Sequence, residues 1–197
     1  MGRKPPKDFA QWQPLIAKLP KGSLWYRSHQ LVHAPIFFGR SKAQRWDSPT
    51  AEYGVLYIGE DPECAFIESI GRSLLRTRMV PAKTLEARGL SEVVLRSALR
   101  LIDLVSSSGL TKVGAEGSIS NGLGYKTSQA WSLAFHDHPE EVDGILYRSR
   151  HDPERVALAL FDRCENALAV NGPPLSWLSQ AALLAQILDL YGFGIDP

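Results

Sequence analysis

The chain has 197 residues, 44% of them hydrophobic, with 22 basic and 21 acidic residues and a formal net charge of +1. That length and apolar content fit one domain with a sizeable core and exclude wholesale disorder. The near-neutral balance supplies no global field for nucleic acid, and the longest apolar runs are too short to cross a bilayer.

Residues 1–8 are basic and proline-containing and read as a frayed tail; no apolar segment of the signal-peptide kind follows, so a soluble cytoplasmic protein is expected. Residues 8–19 predict a short helix, with Asp8 as N-cap and Phe9, Trp12, Ile16 and Leu19 at helical spacing, although Pro14 removes a hydrogen bond from it. Strands are expected over 24–29 and 54–58, with an irregular stretch over 33–49. A helix then runs from Pro62, a residue suited to the first helical position, to about residue 76. Apolar strands are expected over 92–95 and 99–105, and the Ser- and Gly-rich segment 106–124 reads as a loop with room for one helical turn. Residues 127–136 predict a helix with Ala130, Trp131, Ala134 and Phe135 on one side. Strands over 143–149 and 155–161 flank a His151-Asp152-Pro153-Glu154 turn, and a leucine- and alanine-rich helix is expected over 174–191. Without regular βαβ alternation the fold class is α+β, with mixed or antiparallel sheets and flanking helices. The expected organisation is an N-terminal tail and short helix over 1–23, a central domain over 24–170 and a C-terminal helix over 171–197 packed on that domain.

The chemistry-bearing residues sit in unusual company. Arg27 in Leu24-Trp25-Tyr26-Arg27 and Arg45 in Gln44-Arg45-Trp46-Asp47 stand in apolar or aromatic settings, where an unpaired guanidinium is costly. Each suits a phosphate or carboxylate partner. From spacing alone, pairing with Asp47, Asp61 or Glu68 is the simpler expectation, and a pyrophosphate clamp the functional one. Tyr57 ends its strand as a sheet tyrosine or as a stacking face for a flat heterocycle. Glu68 follows Cys64, Ala65 and Ile67 along its helix, which sets it near a core or cleft. Ser149 lacks a Gly-x-Ser-x-Gly elbow, which excludes a serine hydrolase of that design. Gly122-Leu123-Gly124-Tyr125-Lys126-Thr127 lacks the phosphate-loop register. His136-Asp137-His138, with Glu140 and Glu141, sits at a helix end where a cationic last turn explains it at least as well as a metal. Cys64 and Cys164 lie in apolar contexts and are expected as buried thiols.

Taken together, Trp25-Tyr26-Arg27, Gln44-Arg45-Trp46-Asp47-Ser48-Pro49, Gly54-Val55-Leu56-Tyr57 with Ala65-Phe66-Ile67-Glu68, Thr127-Ser128-Gln129-Ala130-Trp131 and Gly144-Ile145-Leu146-Tyr147-Arg148-Ser149-Arg150 resemble the RES-domain family from about residue 24 to 168. The resemblance implies a variant of the ADP-ribosyltransferase fold. It implies a toxin of a type II toxin–antitoxin module that consumes NAD⁺ by hydrolysis or phosphorolysis and is held by an Xre-like helix-turn-helix antitoxin. The alternatives it leaves are a mono-ADP-ribosyltransferase acting on a protein of nucleotide metabolism and an inactive NAD-binding or interaction module. Carried over residue by residue, NAD⁺ would be handled by Arg27, Arg45, Tyr57, Glu68 and Ser149, with Glu68, Arg27 and Ser149 as the catalytic group and no metal. One departure is the 35–53 segment, where Phe37-Phe38-Gly39-Arg40-Ser41 leaves Arg40 as a rival to Arg45.

Overall fold

The computed structural model describes residues 3–197. A 3-10 turn (Phe9–Gln11) precedes β1 (Ile16–Leu19), β2 (Leu24–Gln30) and β3 (Val55–Gly59). Then come α1 (Pro62–Ser69), a 3-10 turn (Gly71–Ser73), β4 (Met79–Pro81), α2 (Ala82–Ala87), β5 (Arg88–Leu95) and β6 (Leu99–Asp103). Three helices, α3 (Gly109–Val113), α4 (Ser118–Asn121) and α5 (Lys126–His136), lead to β7 (Gly144–Arg148) and β8 (Val156–Phe161). A 3-10 segment (Asp162–Ala167), β9 (Leu168–Ser176), a further 3-10 turn (Trp177–Gln180), α6 (Ala181–Tyr191) and β10 (Gly194–Asp196) follow.

Eight strands form one sheet in the order β1-β6-β7-β8-β3-β2-β5-β9. Within it only β6 and β7 run parallel, so the α+β expectation of a mixed, largely antiparallel sheet holds. β10 pairs in parallel with β4 in a separate two-stranded ribbon. Side chains alternate across the sheet with period two. Val55 and Tyr57 therefore face a cluster with Trp46, Trp131, Phe135 and Phe161, while Leu56 and Ile58 face one with Trp25, Val93, Leu101 and Leu158. A third cluster packs Phe66 and Ile67 of α1 against Trp177, Leu184 and Ile187.

The sheet opens at one place. β2 pairs with β5 along its whole length from Leu24 to Gln30, and β3 with β8 from Val55 to Gly59. Between β2 and β3 the register holds only at Tyr26 and Gly59. The two strands part on the side that carries Arg27 and Tyr57. There β3 takes a local substitute, a bridge between Val55 and Gly39, so the irregular 31–54 segment lies along the opening.

Four expectations are corrected. Residues 8–19 are not a helix: Pro14 precludes one, and Ile16–Leu19 pair antiparallel with Leu99–Ile102, a non-local partner that helical spacing cannot reveal. The helix from Pro62 stops at Ser69, whose hydroxyl donates back to the Ala65 carbonyl at 2.7 Å. The 106–124 segment holds two short helices rather than one turn. Residues 174–191 begin as the end of β9, and helix starts only at Ala181. Pro173 and Pro174 are tolerated because β9 is an edge strand. No described helix is long and apolar enough to cross a membrane. Cys64 and Cys164 are free and buried.

Candidate active site

α1 is built to hold one carboxylate. Asp61 caps it by accepting from the Cys64 amide at 2.7 Å, and Pro62 occupies its first turn. Gly59 lets the strand end approach: a Cβ there would stand 2.8 Å from both the Ala65 nitrogen and the Cys64 Cβ. Cys64, Ala65, Phe66 and Ile67 are buried, and Glu68 is half-buried at the last turn. Its Oε1 accepts from Ser149 Oγ at 2.6 Å and from the Arg150 amide at 3.0 Å. Both donors come from the residues that follow β7. Both hydrogen bonds to the Glu68 carboxylate fall on Oε1, and among the described residues Oε2 has no partner.

Glu68 lines a cavity of about 380 Å³ at the parting of β2 and β3. That volume lies in the range of small-molecule sites, about 300–1,000 Å³. Arg27, Arg45, Arg72, Arg88 and Arg150 line it, against two carboxylates, Asp47 and Glu68. Among the described residues none of these arginines forms an ion pair. In a chain of net charge +1, that is a marked local excess of positive charge. Arg27 donates to the Pro35 carbonyl, and burial, with Arg88 nearby, pulls its guanidinium down to about 10. That depression corresponds to on the order of 3 kcal/mol against the bare cation, which an anion in the cavity would offset. Burial likewise lowers Arg45, and lowers Arg88, to which Arg72 adds like charge. Among the described residues the buried Arg88 Nε has no hydrogen-bond partner.

Arg45 is aimed by α5. Gln129 Nε2 donates to the Lys42 and Gln44 carbonyls, each at 2.9 Å, and Ser132 Oγ donates to the Trp46 carbonyl at 2.6 Å. The Arg45 Nη2 then reaches the Gly122 carbonyl at 2.9 Å, and its guanidinium lies 4.8 Å from the centre of the Tyr125 ring. Tyr57 donates to Asp47 Oδ1 and accepts from the Trp46 amide, both at 2.9 Å. Its phenol is thus a strut for the Arg45 segment, and burial followed by Asp47 raises it well above its usual range.

All five residues singled out in the sequence, Arg27, Arg45, Tyr57, Glu68 and Ser149, are brought to this one cavity or its wall: the first four line it, and Ser149 is bonded to Glu68 behind it. Neither arginine takes a carboxylate, contrary to the simpler expectation. Asp47 is taken by Tyr57, Ser41 and the Gln44 amide, Asp61 by Arg155, and Glu68 by Ser149. Arg40 lies outside the lining: it donates to the Glu52 carbonyl at 2.7 Å and pairs with Asp162 at 2.6 Å. At the helix end, His136 Nδ1 shares a hydrogen bond with Asp137 and its ring stacks on Tyr53 at 3.9 Å. No group of three metal-suited side chains occurs among the described residues. Sequence reasoning missed Arg72, Arg88, Arg150 and His151 as lining residues. Only Arg150, beside Ser149, carried a local signal; the others reach the cavity through β5 and the turns after α1 and β7.

Residues 24–178 match the RES domain. A curated relative, "Probable toxin y4kH" of Sinorhizobium fredii, is 33% identical over 107 residues, covering 53% of this chain and 80% of that protein. Among solved structures, a chain of the M. tuberculosis MbcT–MbcA toxin–antitoxin complex superposes with a TM-score of 0.66 over 85% of this chain and 92% of that one, at 19% identity. At that identity the likeness is one of fold.

Proposed function

The chain belongs to the RES-domain family, and from that membership we propose that it is the NAD⁺-consuming toxin of a type II toxin–antitoxin module, cleaving the nicotinamide–ribose bond. The observation that carries the reading is an anchored carboxylate, Glu68, with one oxygen unpartnered among the described residues, in a cavity lined by five arginines that form no ion pair among those residues. Nicotinamide leaves as a neutral molecule, so no acid is needed to protonate it. The demand is on the ribose, which passes through an oxocarbenium-like state. Glu68 Oε2 faces that developing charge and takes ribose hydroxyls, while Ser149 and the Arg150 amide hold Oε1. Arg27 and Arg45 bind the pyrophosphate, which fixes the ribose by positioning. Tyr57 keeps Arg45 in place through Asp47 and Trp46.

Water or phosphate is the acceptor in this reading. Transfer to a protein side chain is the second reading; it draws on Leu123, 87% exposed two residues from cavity-lining Tyr125, as a docking point. The partner is an Xre-like helix-turn-helix antitoxin, a proposal supported by a relative named as a toxin and by a fold shared with a toxin–antitoxin complex. The deciding experiment incubates purified protein with labelled NAD⁺, with and without phosphate, beside Glu68→Gln. Wild type is expected to release nicotinamide, and the folded variant at least about 100-fold more slowly, the scale of one lost electrostatic contact in a transition state. Near-normal turnover by Glu68→Gln sinks the assignment. A labelled protein band in cell extract that vanishes in the variant selects the second reading. Binding of NAD⁺ without turnover selects a non-catalytic module.

A further inference from the structure

We infer that Asp61, Arg155, Asp152 and Tyr191 form a positioning ring that fixes Glu68 from outside the cavity and ties it to the C-terminal helix. The inference rests on the reading of that cavity as the reactive site. The ring can be walked bond by bond. Asp61, the N-cap of α1, accepts Arg155 Nε on both oxygens, at 3.1 and 2.9 Å. Arg155 Nη1 donates to Asp152 Oδ2 at 2.7 Å. The Asp152 amide donates to Ser149 Oγ at 3.2 Å, and Ser149 Oγ donates to Glu68 Oε1 at 2.6 Å. Glu68 lies in the last turn of the same helix that Asp61 opens. One loop, 149–155, therefore straps both ends of α1. The Ser149 amide closes that loop on the Arg155 carbonyl at 2.9 Å, and the Arg155 amide on the Asp152 carbonyl at 3.0 Å.

Tyr191 joins this ring from α6. Its hydroxyl donates to Asp152 Oδ2 at 2.8 Å, the same oxygen that holds Arg155. Three features set Tyr191 in place: Gly192 caps α6 in the left-handed region at φ 65, β10 pairs with β4, and Leu184 and Ile187 pack against Phe66 and Ile67 of α1. None of Asp61, Asp152, Arg155 or Tyr191 lines the cavity. They touch neither substrate nor acceptor in the proposed chemistry, and their effect passes through Ser149 and the aim of Glu68. Tyr191 also lies beyond residue 178, where the family match ends, so the chain recruits a segment outside the matched domain to brace its reactive carboxylate. A carboxylate that must meet a developing charge loses rate for small misplacements. A ring of charged hydrogen bonds limits that freedom better than a single contact.

The test measures nicotinamide release by full-length Tyr191→Phe, Asp152→Asn and the double variant, with Leu190→Ser as a control on the exposed side of α6. Tyr191→Phe is expected to lower kcat about three- to tenfold while KM for NAD⁺ stays within about twofold, because Arg27 and Arg45 lie outside the ring. The double variant should fall no further than Asp152→Asn, since both changes break one path, and Leu190→Ser should match wild type. Unchanged kcat in Tyr191→Phe, a rise in KM alone, or losses that multiply in the double variant would each overturn the inference. A second readout does not depend on turnover. Hydrogen exchange at the His151 and Asp152 amides, both bonded to Ser149 Oγ, should quicken about tenfold or more in Tyr191→Phe, and unchanged exchange rejects the ring. A wild type that exchanges as expected yet releases no nicotinamide would instead sink the proposed reaction.

Discussion

Replacing Ser149 by alanine removes one oxygen and tests how far Glu68 depends on being held. That oxygen donates to Glu68 Oε1 at 2.6 Å and accepts from the His151 and Asp152 amides at 3.3 and 3.2 Å. A hydrogen bond to a charged group contributes about 1.5–3 kcal/mol. The Arg150 amide stays on the same carboxylate oxygen at 3.0 Å, so the lower end applies. A loss of about 1.5–2 kcal/mol of transition-state stabilisation is roughly 10- to 30-fold in kcat. An opposing effect exists, because a carboxylate relieved of a donor presents a more concentrated charge to the ribose. Position should outweigh it, since the freed side chain gains rotation about its own χ angles while the reacting distance must stay near contact. Two amides lose their acceptor at a cost of about 1–3 kcal/mol each when fully buried. Ser149 is itself 2% exposed, so a lower Tm accompanies the change, and assays belong well below it. Nicotinamide release under saturating NAD⁺ gives kcat, and melting curves confirm that folded protein is compared. A folded Ser149→Ala protein with kcat at or above half the wild-type value refutes the reasoning.

The two candidate arginines separate cleanly. Arg45→Lys forfeits the reach to the Gly122 carbonyl and the Tyr125 face, and a lysine cannot offer a fork to pyrophosphate; KM for NAD⁺ should rise about tenfold. Arg40→Ala removes an exposed pair worth about 0–1 kcal/mol and should leave KM unchanged, so the opposite ranking would reverse the assignment. Acid should weaken the fold through His29. Burial holds this imidazole below its usual range, the Gln30 carbonyl opposes that shift, and Arg27 and Arg88 add to it. The unfolded chain, titrating near about 6.5, therefore binds the proton first. Stability is complete above that pH and is lost as pH falls through it. Tm should decline from pH 7 to 5 and decline less in His29→Gln, while parallel slopes would count against this origin.

Legibility followed locality. α1 announced itself through Pro62 and the apolar run after it, and α5 through the face that buries Trp131 and Phe135; the Asp61 cap came only with the structure. β3, β7 and β8 were readable because they are apolar and lie in the sheet interior. β1 was not, because Ile16–Leu19 are strand only in company with β6, eighty or more residues away. β4 and β10 have three residues each, too few to show a period. At the site, Glu68 stood out as a carboxylate after buried neighbours. The partners of the arginines did not, since whether Asp47 turns to Arg45 or to Tyr57 is decided by the folded path of 41–57. Arg88 shows the limit most plainly: it opens β5 as an ordinary strand residue and reaches the cavity only because β5 lies beside β2.

The order of the sheet has a kinetic consequence. β2 lies between β3 and β5, β6 beside β7, and the ends of the sheet are β1 and β9. Four of the seven neighbouring pairs are not consecutive in sequence, and the Ser149–Glu68 bond closes 81 residues of chain. Loops of that kind are closed late and slowly, on the millisecond-to-second scale typical of non-local β topologies. Synthesis proceeds from the N-terminus, so Arg27, Arg45, Arg72, Arg88 and Glu68 leave the ribosome well before the serine that steadies the carboxylate and the tyrosine that braces the loop. The emerging chain thus carries most of the cavity lining before the residues that hold its carboxylate in place exist.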